Sequence, residues 1–319
     1  MLKPEELDVP IRLSGWENCI LEIGFGNGEF MAFEAENSPR DLFWGIEVSR
    51  SSVVRAIKRM IHIDNIRIIA GDARFLMREL FPDECFDRVH MNFPCPWPKD
   101  RHLKRRVTST EFADTLAAVL KINGYFELMT DDEVYAQNTR DILSGHSSLE
   151  CMNYECNPQR ALKTKYERKW LKMGRSVWRV RIKKNSAFTT ERLMSKFVRA
   201  GSNSFNGGEQ MHIRLQDMEN ENTIIEKLDS LFDEGGKSGN DVHWVFKRHF
   251  NSSSDSEGIH LIETVSSDAG FEQKYYLKVV FRDEDDKNIT LVKIDGNSSV
   301  FLTPSVRYAI SDLAKRMTS

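Results

Sequence analysis

Apolar residues in the first half of the chain gather into short runs that alternate with stretches of helical spacing. Runs at 19–23, 42–48, 66–70, 86–92 and 125–130 have the length and apolar content of buried strands. A helix is expected after a glycine turn, over about 28–36. Val53, Val54, Ile57 and Met60 mark a second over 51–60, and a third over 74–80 ends before Pro82. Thr108 and Glu111 have the spacing of a capping box, and Phe112, Leu116, Val119 and Leu120 form one apolar face of the helix it opens. Asn123-Gly124 is expected to stop that helix, and a further helix runs to about 143. Segments 150–155 and 176–183 complete the set. The second mixes Val177, Val180 and Ile182 with tryptophan and arginine, as an edge or antiparallel strand does. This alternation predicts a doubly wound α/β domain over residues 1–184, with ligands beyond the carboxyl ends of its strands.

After Lys184 the pattern changes. "NSAFTT" reads as a linker, followed by a helix (190–200), a polar loop (201–208), a strand (211–215) and a helix (222–233). Strands follow in succession at 242–250, 258–264, 273–282 and 289–295, the last two joined by the acidic turn "DEDDKN". Thr303-Pro304 opens a final helix with Val306, Ile310, Leu313 and Met317 on one face. Residues 185–319 are therefore expected to form a C-terminal α+β domain. "HWVFKRHF" (243–250) interleaves aromatics with cations, as RNA-binding strands do, but an amphipathic edge strand is the preferred reading.

Composition narrows the class. The chain has 319 residues, enough for two domains, with 40% hydrophobic and 29% charged residues, as in globular proteins. The first residues, "MLKPEELDVP", lack the regions of a signal peptide, and no apolar run approaches the ~18 residues of a membrane span. Cysteines 19, 85, 95, 151 and 156 form no CxxC pair and no framework, so free thiols in a cytoplasmic protein are expected. Cys151 and Cys156 have no two further ligands with which to hold a metal. The net charge of −3 argues against a general nucleic-acid binder, and residues 185–319 are acidic, with 16 Lys and Arg against 21 Asp and Glu. The local exception is a basic run of Lys99, Arg101, Lys104, Arg105 and Arg106, directly behind the proline-rich "FPCPWP".

The candidate chemistry sits at the strand ends. In "LEIGFGNGEF", Gly24, Gly26 and Gly28 allow a sharp turn and a close approach of backbone to ligand. The spacing is GxGxG rather than the GxGxxG of dinucleotide enzymes. Glu22 precedes the turn, where a carboxylate repels a pyrophosphate and suits a cation. Glu47 ends the second strand, the usual place for an acid that grips ribose hydroxyls, and Asp72 in "AGDA" ends the third, where it can accept from an adenine amino group. One acid per strand end fits S-adenosyl-L-methionine better than NAD. Asp64-Asn65 reads as a plain turn, and His62 and His90 as structural.

Taken together, "LEIGFGNGEF", "GIEV", "GDA", "FPCPWPKDRHLKRR", "TDDEVYA" and "TKYERKW" resemble the bacterial tRNA (guanine-N7-)-methyltransferases of the TrmB type, over about residues 15–184. The resemblance implies a Rossmann-like class I methyltransferase domain, with S-adenosyl-L-methionine as cofactor and guanine 46 of the tRNA variable loop as substrate. It implies cofactor contacts from Glu22, Glu47 and Asp72. It also implies guanine contacts from Lys99, Asp131 and the Thr164–Glu167 segment. Cys95 stands where the family has a catalytic, cofactor-adjacent aspartate, and a thiol cannot replace that charge.

Asn92, at the end of the fourth strand, is a candidate for polar duties near the methyl group. Asp131 and Glu167 are candidates for the base edge, and Thr164 for a hydroxyl contact, whereas Asp132 is expected to start the next helix. The five cations would contact phosphates, and Trp97 would either stack on a base or anchor its loop. Two rivals stay open: a non-catalytic tRNA-binding protein in which Cys95 records lost chemistry, and a methyltransferase of small molecules, in which the basic loop has no role. A monomer and a homodimer are both compatible with the sequence.

Overall fold

A computed structural model of the chain describes residues 11, 13–94, 109–192, 212–216, 221–231, 233–239, 241–251, 259–284, 287–298 and 300–318. They fall into two compact units, the first reaching Arg192 and the second containing the residues from His212 onward. The first unit thus extends past the boundary expected at Lys184. The extra residues are tied into it: the Asn185 amide donates to Ser148 O at 3.0 Å, Phe188 packs edge-on to His146, and Arg192 donates to Phe81 O and to Asp83.

In the first unit, five strands alternate with helices as the apolar pattern predicts. They are β1 (Cys19–Ile23), α1 (Glu29–Asn37), β2 (Leu42–Glu47), α2 (Arg50–Met60), β3 (Ile66–Ala70), α3 (Ala73–Leu80), β4 (Phe86–Asn92), α4 (Thr110–Val119) and β5 (Leu120–Thr130). Next come α5 (Glu133–Ser144), β6 (Leu149–Cys156), α6 (Lys165–Lys172) and β7 (Trp178–Lys184). The sheet order is β3-β2-β1-β4-β5-β7-β6, with β1 to β5 parallel and β7 antiparallel to both its neighbours. β1 and β2 are buried at every position, because helices cover both faces of a parallel sheet. Strand order reverses between β1 and β4, so the crevice for a ligand opens at the carboxyl ends of these two strands.

Side-chain caps start most of the helices. Ser49, Asp72, Ser109, Asp132 and Thr164 each accept a backbone N–H in the first turn of α2, α3, α4, α5 and α6. Asp132 does so as the sequence suggests. The cap of α4 is Ser109 rather than Thr108, which lies outside the described residues. Asn123-Gly124 does not stop α4, which ends at Val119; the pair falls inside β5, where Asn123 takes φ 71° and the register with β4 shifts. The motif signals a left-handed backbone, and here that backbone serves a strand irregularity. Helix α6 places Tyr166 and Trp170 at helical spacing but buries only Glu167, and no helix is expected there in the sequence reading.

The second unit is a six-stranded antiparallel sheet. It contains β8 (His212–Gln216), β9 (Gly235–Ser238), β10 (Val242–Asn251), β11 (Ile259–Asp268), β12 (Phe271–Glu284) and β13 (Lys287–Ile294), in the order β8-β13-β12-β11-β10-β9. Helices α7 (Glu221–Asp229) and α8 (Pro304–Thr318) supply the rest. Helix α7 ends earlier than expected, and the four-residue β9 was too short and glycine-rich to read. "HWVFKRHF" lies in β10, second from the edge, with β9 pairing only its first half. Val306, Ile310, Leu313 and Met317 of α8 are buried against Phe246, Ile262, Leu277, Val279 and Val292 of the sheet. Each such side chain contributes roughly 1.5–3 kcal/mol on burial. The predicted helix at 190–200 and loop at 201–208 lie mainly outside the described residues, and Thr190 to Arg192 are not helical. No helix among the described residues is long and apolar enough to cross a membrane.

Gly124 is the most exacting glycine of the first sheet. A Cβ there would lie 2.9 Å from Asp87 O and Lys121 O and 3.0 Å from Phe86 O, all backbone atoms that have little freedom to give way. Gly124→Ala is therefore expected to lower stability by roughly 1–3 kcal/mol. Urea denaturation of the full-length chain measures this, and an unchanged midpoint contradicts it.

Candidate active site

The glycine turn begins where β1 leaves the sheet. Gly24, Gly26 and Gly28 have φ of 70°, 55° and 73°, a region that other residues enter at a cost. A Cβ on Gly24 or Gly26 would meet no atom within 4 Å, so the space above the turn is open. At Gly28 the constraint is also one of packing, since a Cβ would lie 2.8 Å from Met60 Sδ. Phe25, buried between the glycines, fits over Gly45 of β2, where a Cβ would lie 2.5 Å from its ring. Glu47 closes the arrangement: its Oε2 accepts from Gly26 N at 2.9 Å and its Oε1 from Ser49 N at 2.8 Å. The acid read as a ribose ligand is thus also the brace of the turn.

Glu22, at 4% exposure, is the most unusual group of the site. Its Oε1 accepts from Asn92 Nδ2 at 2.9 Å across the β1–β4 crevice. Its Oε2 is buried and has no hydrogen-bond partner among the described residues. Burial raises the carboxyl to about 7, even though the Asn92 hydrogen bond and the Arg160 charge both act to lower it.

Arg160 joins this pair to Glu167. Both terminal nitrogens of its guanidinium donate to Asn92 Oδ1 at 3.3 Å, and Nη1 also donates to Glu167 Oε2 at 3.4 Å. The guanidinium lies 3.7 Å from Glu127 and 5.1 Å from the centre of the Phe30 ring, with the side chain only 7% exposed. Burial alone would raise the Glu127 carboxyl, but His90, Arg160 and Arg181 outweigh it and hold Glu127 at about 2. Burial raises Glu167, and Arg160 partly offsets the rise. The sequence reasoning missed Arg160. It stands alone in a polar loop, and its only signal is its place four residues before Thr164.

The other candidates have definite partners. Thr164 is buried and spends an acceptor on Glu167 N, as the cap of α6. Helix α6 is fastened to α1 by Glu29, which accepts from Lys165 N at 2.9 Å and from Arg168 at 2.7 Å. Asp131, at the end of β5, pairs with Arg175 at 3.2 Å, and Arg175 lies over the Trp170 ring. Asp72 caps α3, and both its oxygens accept from Arg74. His90 is buried beside Glu127, and His62 pairs with Glu36 near the surface. After Asn92 the chain turns out of β4 through Phe93, at φ 52°. Cys95, Trp97, Lys99, Arg101, Lys104, Arg105 and Arg106 lie outside the described residues. No group of three or more metal-ligating side chains occurs among the described residues, and Cys19, Cys85, Cys151 and Cys156 are free thiols.

A crevice at a strand-order reversal, a braced glycine turn and acids at successive strand ends make up a Rossmann-like methyltransferase domain. A protein-family model described as "Putative methyltransferase" matches residues 17–180. A tRNA (guanine-N(7)-)-methyltransferase of Thermotoga maritima is 35% identical over 303 residues, which cover 94% of this chain and 89% of that one. Those of Nitrosospira multiformis and Nitrosococcus oceani are each 38% identical, over 182 and 168 residues; the matches cover 56% and 52% of this chain and 80% and 71% of theirs. The chain belongs to the tRNA (guanine-N7-)-methyltransferase family. At 94% coverage the Thermotoga match runs through most of the second unit as well, whereas the shorter relatives match little more than half of the chain.

The family's cofactor is S-adenosyl-L-methionine, and the residues present fit it. The unpartnered Glu22 Oε2 offers a buried acceptor to a cation, and the bare surface of Gly24 and Gly26 leaves room for a ligand. Glu22, Glu47, Asp72 and Asn92 are the candidates to hold it.

Two tests follow from this geometry. Between pH 4.5 and about 7 the folded chain keeps a proton on Glu22 that the unfolded chain releases, so stability falls as pH rises across that window. Glu22→Gln is expected to remove this slope in urea denaturation. Affinity for S-adenosyl-L-methionine is expected to rise as wild-type Glu22 ionises near pH 7 and to be flatter in the variant; parallel calorimetric profiles refute the charge role. Glu47→Ala removes two hydrogen bonds to a charged acceptor and is expected to weaken cofactor binding at least about tenfold, with the melting curve still cooperative. Unchanged affinity counts against the brace.

Proposed function

We propose that this protein transfers the methyl group of S-adenosyl-L-methionine to N7 of guanine in tRNA, at position 46 of the variable loop. The observation that carries the reading is the hydrogen-bonded chain Glu22–Asn92–Arg160–Glu167, which links the carboxylate beside the glycine turn to the segment that the resemblance assigns to guanine. Family membership supports the same reading.

When bound, the cofactor supplies a methyl group already activated by its sulfonium. Guanine N7 carries an in-plane lone pair and needs no deprotonation, so the chain needs no general base at that atom. Its residues have to hold the base in line and offset the positive charge that methylation leaves on the purine. Asp131 and Glu167 suit both tasks, since carboxylates accept from guanine N1–H and N2–H₂. Arg160 sets the position of Glu167 and Asn92 together and keeps the two ends of the site in register. Thr164 retains a hydroxyl proton to donate after capping α6. Lys99, Arg101, Lys104, Arg105 and Arg106 are assigned to the tRNA backbone, which needs cations in number. The free thiols accord with a cytoplasmic setting. A non-catalytic binding role is not favoured, because the curated relatives carry the names of enzymes.

Cys95 stands where the family carries an aspartate, and direct attack by N7 gives a thiol no task. Purified protein, labelled S-adenosyl-L-methionine and unmodified tRNA test both points, with 7-methylguanosine read by borohydride reduction and aniline cleavage. The expected result is one methylated guanine in the variable loop, and substantial activity in Cys95→Ala. Binding of tRNA without label sinks the enzymatic reading. Complete loss of label in Cys95→Ala, with normal cofactor and tRNA affinity, makes the thiol essential.

A further inference from the structure

Residues 185–319 are acidic overall, yet the sheet of the second unit sorts its charges by face. Side chains alternate along a strand, so the partners of α7 and α8 occupy one face and their neighbours in sequence the other. That other face carries Arg248 on β10, Lys274 and Lys278 on β12, and Lys293 on β13, against Glu272 on β12 and Glu263 on β11. Glu263 of β11, on the same face, is neutralised by Lys274 and by Arg248 at 3.7 Å.

Lys278 and Lys293 stand directly opposite one another in the β12–β13 register. Like charges in that relation destabilise a sheet. Both side chains are half-buried, and neither forms an ion pair among the described residues. Their stems lie along the sheet while the ammonium groups need an anion that the described residues do not supply. In the same row, Leu261 lies opposite Lys278 and Phe250 opposite Leu261, which places Phe250 two strand spacings, ~10 Å, from Lys278. Phe250 is 43% exposed and meets Tyr276 edge to face at 6.1 Å. A lysine pair with no counter-charge among the described residues, beside the exposed Phe250 ring and the part-buried Tyr276 ring, is a combination that engages phosphates and an unpaired base.

We propose that this face of the second unit docks the tRNA substrate, with Lys278 and Lys293 on backbone phosphates and Phe250 and Tyr276 against a base beside them. The inference rests on the tRNA reading above. Self-association through the same face fits less well, because a two-fold contact would bring the lysine pair of one copy toward that of the other.

The test uses the full-length chain with both lysines changed, Lys278→Gln and Lys293→Gln, and tRNA binding followed by fluorescence anisotropy from 50 to 200 mM salt. Loss of two phosphate contacts is expected to make the slope of log affinity against log salt shallower by about 2. KM for tRNA is expected to rise about tenfold, with kcat at saturating tRNA unchanged. Lys278→Arg with Lys293→Arg is expected to restore the slope, and Phe250→Ala to raise KM without altering it. A Gln variant with wild-type melting temperature, slope and KM overturns the docking face while wild-type methylation of tRNA leaves the enzymatic reading standing. A variant that only loses a dimer, seen by light scattering at unchanged slope, also overturns it and assigns the face to self-association. A wild-type protein that neither binds nor methylates tRNA overturns both.

Discussion

The first unit is organised around a carboxylate that the fold buries without fully satisfying. Glu22 lies next to last in β1, an interior strand of a sheet covered on both faces, so it loses water on folding. Among the described residues, only one of its oxygens regains a hydrogen bond. A buried acceptor in that state is costly, and such a cost persists at positions that serve function. Its neighbours make sense as responses to it. Asn92 satisfies one oxygen, Arg160 supplies a nearby positive field, and Glu167 and Glu127 balance the arginine in turn.

That network also explains the division of labour among the acids. Glu127 is held ionised by His90, Arg160 and Arg181 and anchors the far side of the guanidinium. Glu22 and Glu167 are both raised by burial and lie at opposite ends of the Asn92–Arg160 bridge. Charge brought to one end is therefore felt at the other through a short, largely desolvated path. Glu47 stands apart, with both oxygens fixing the backbone of the turn.

The two units solve different packing problems. The first buries both faces of a mostly parallel sheet, and its central strands read as unbroken apolar runs. The second buries one face under two helices and carries on the other a mixture of charged, aromatic and aliphatic side chains, among which Val280 and Ile289 are buried. Overall acidity is a poor guide to such a surface, because it averages over faces that the sheet separates. The Thermotoga relative shares most of this second unit, while relatives that match only about half of the chain carry the same enzyme name.

Much of this was legible in the chain itself. The period changes marked β1 to β5 and their helices, the glycine turn and the acids at strand ends pointed to a candidate site, and the motif set pointed to the family. These signals are local, depending on residues within a few positions of each other. Where local signals misled, tertiary context had won: Asn123-Gly124 bends a strand instead of ending a helix, and α6 is held by its cap and Glu29 although it buries no apolar side chain. Arg160 could not be recognised from spacing, since its partners lie seven residues away in one case and 68 in another. The free oxygen of Glu22, the Glu47 brace and the opposed lysines of β12 and β13 likewise arise only when distant segments are brought into register. Sequence by itself determined which elements form and which chemistry they carry; the tertiary structure decided which charges are paired, which are buried and which are left waiting, because burial and cross-strand neighbours are properties of the packed chain.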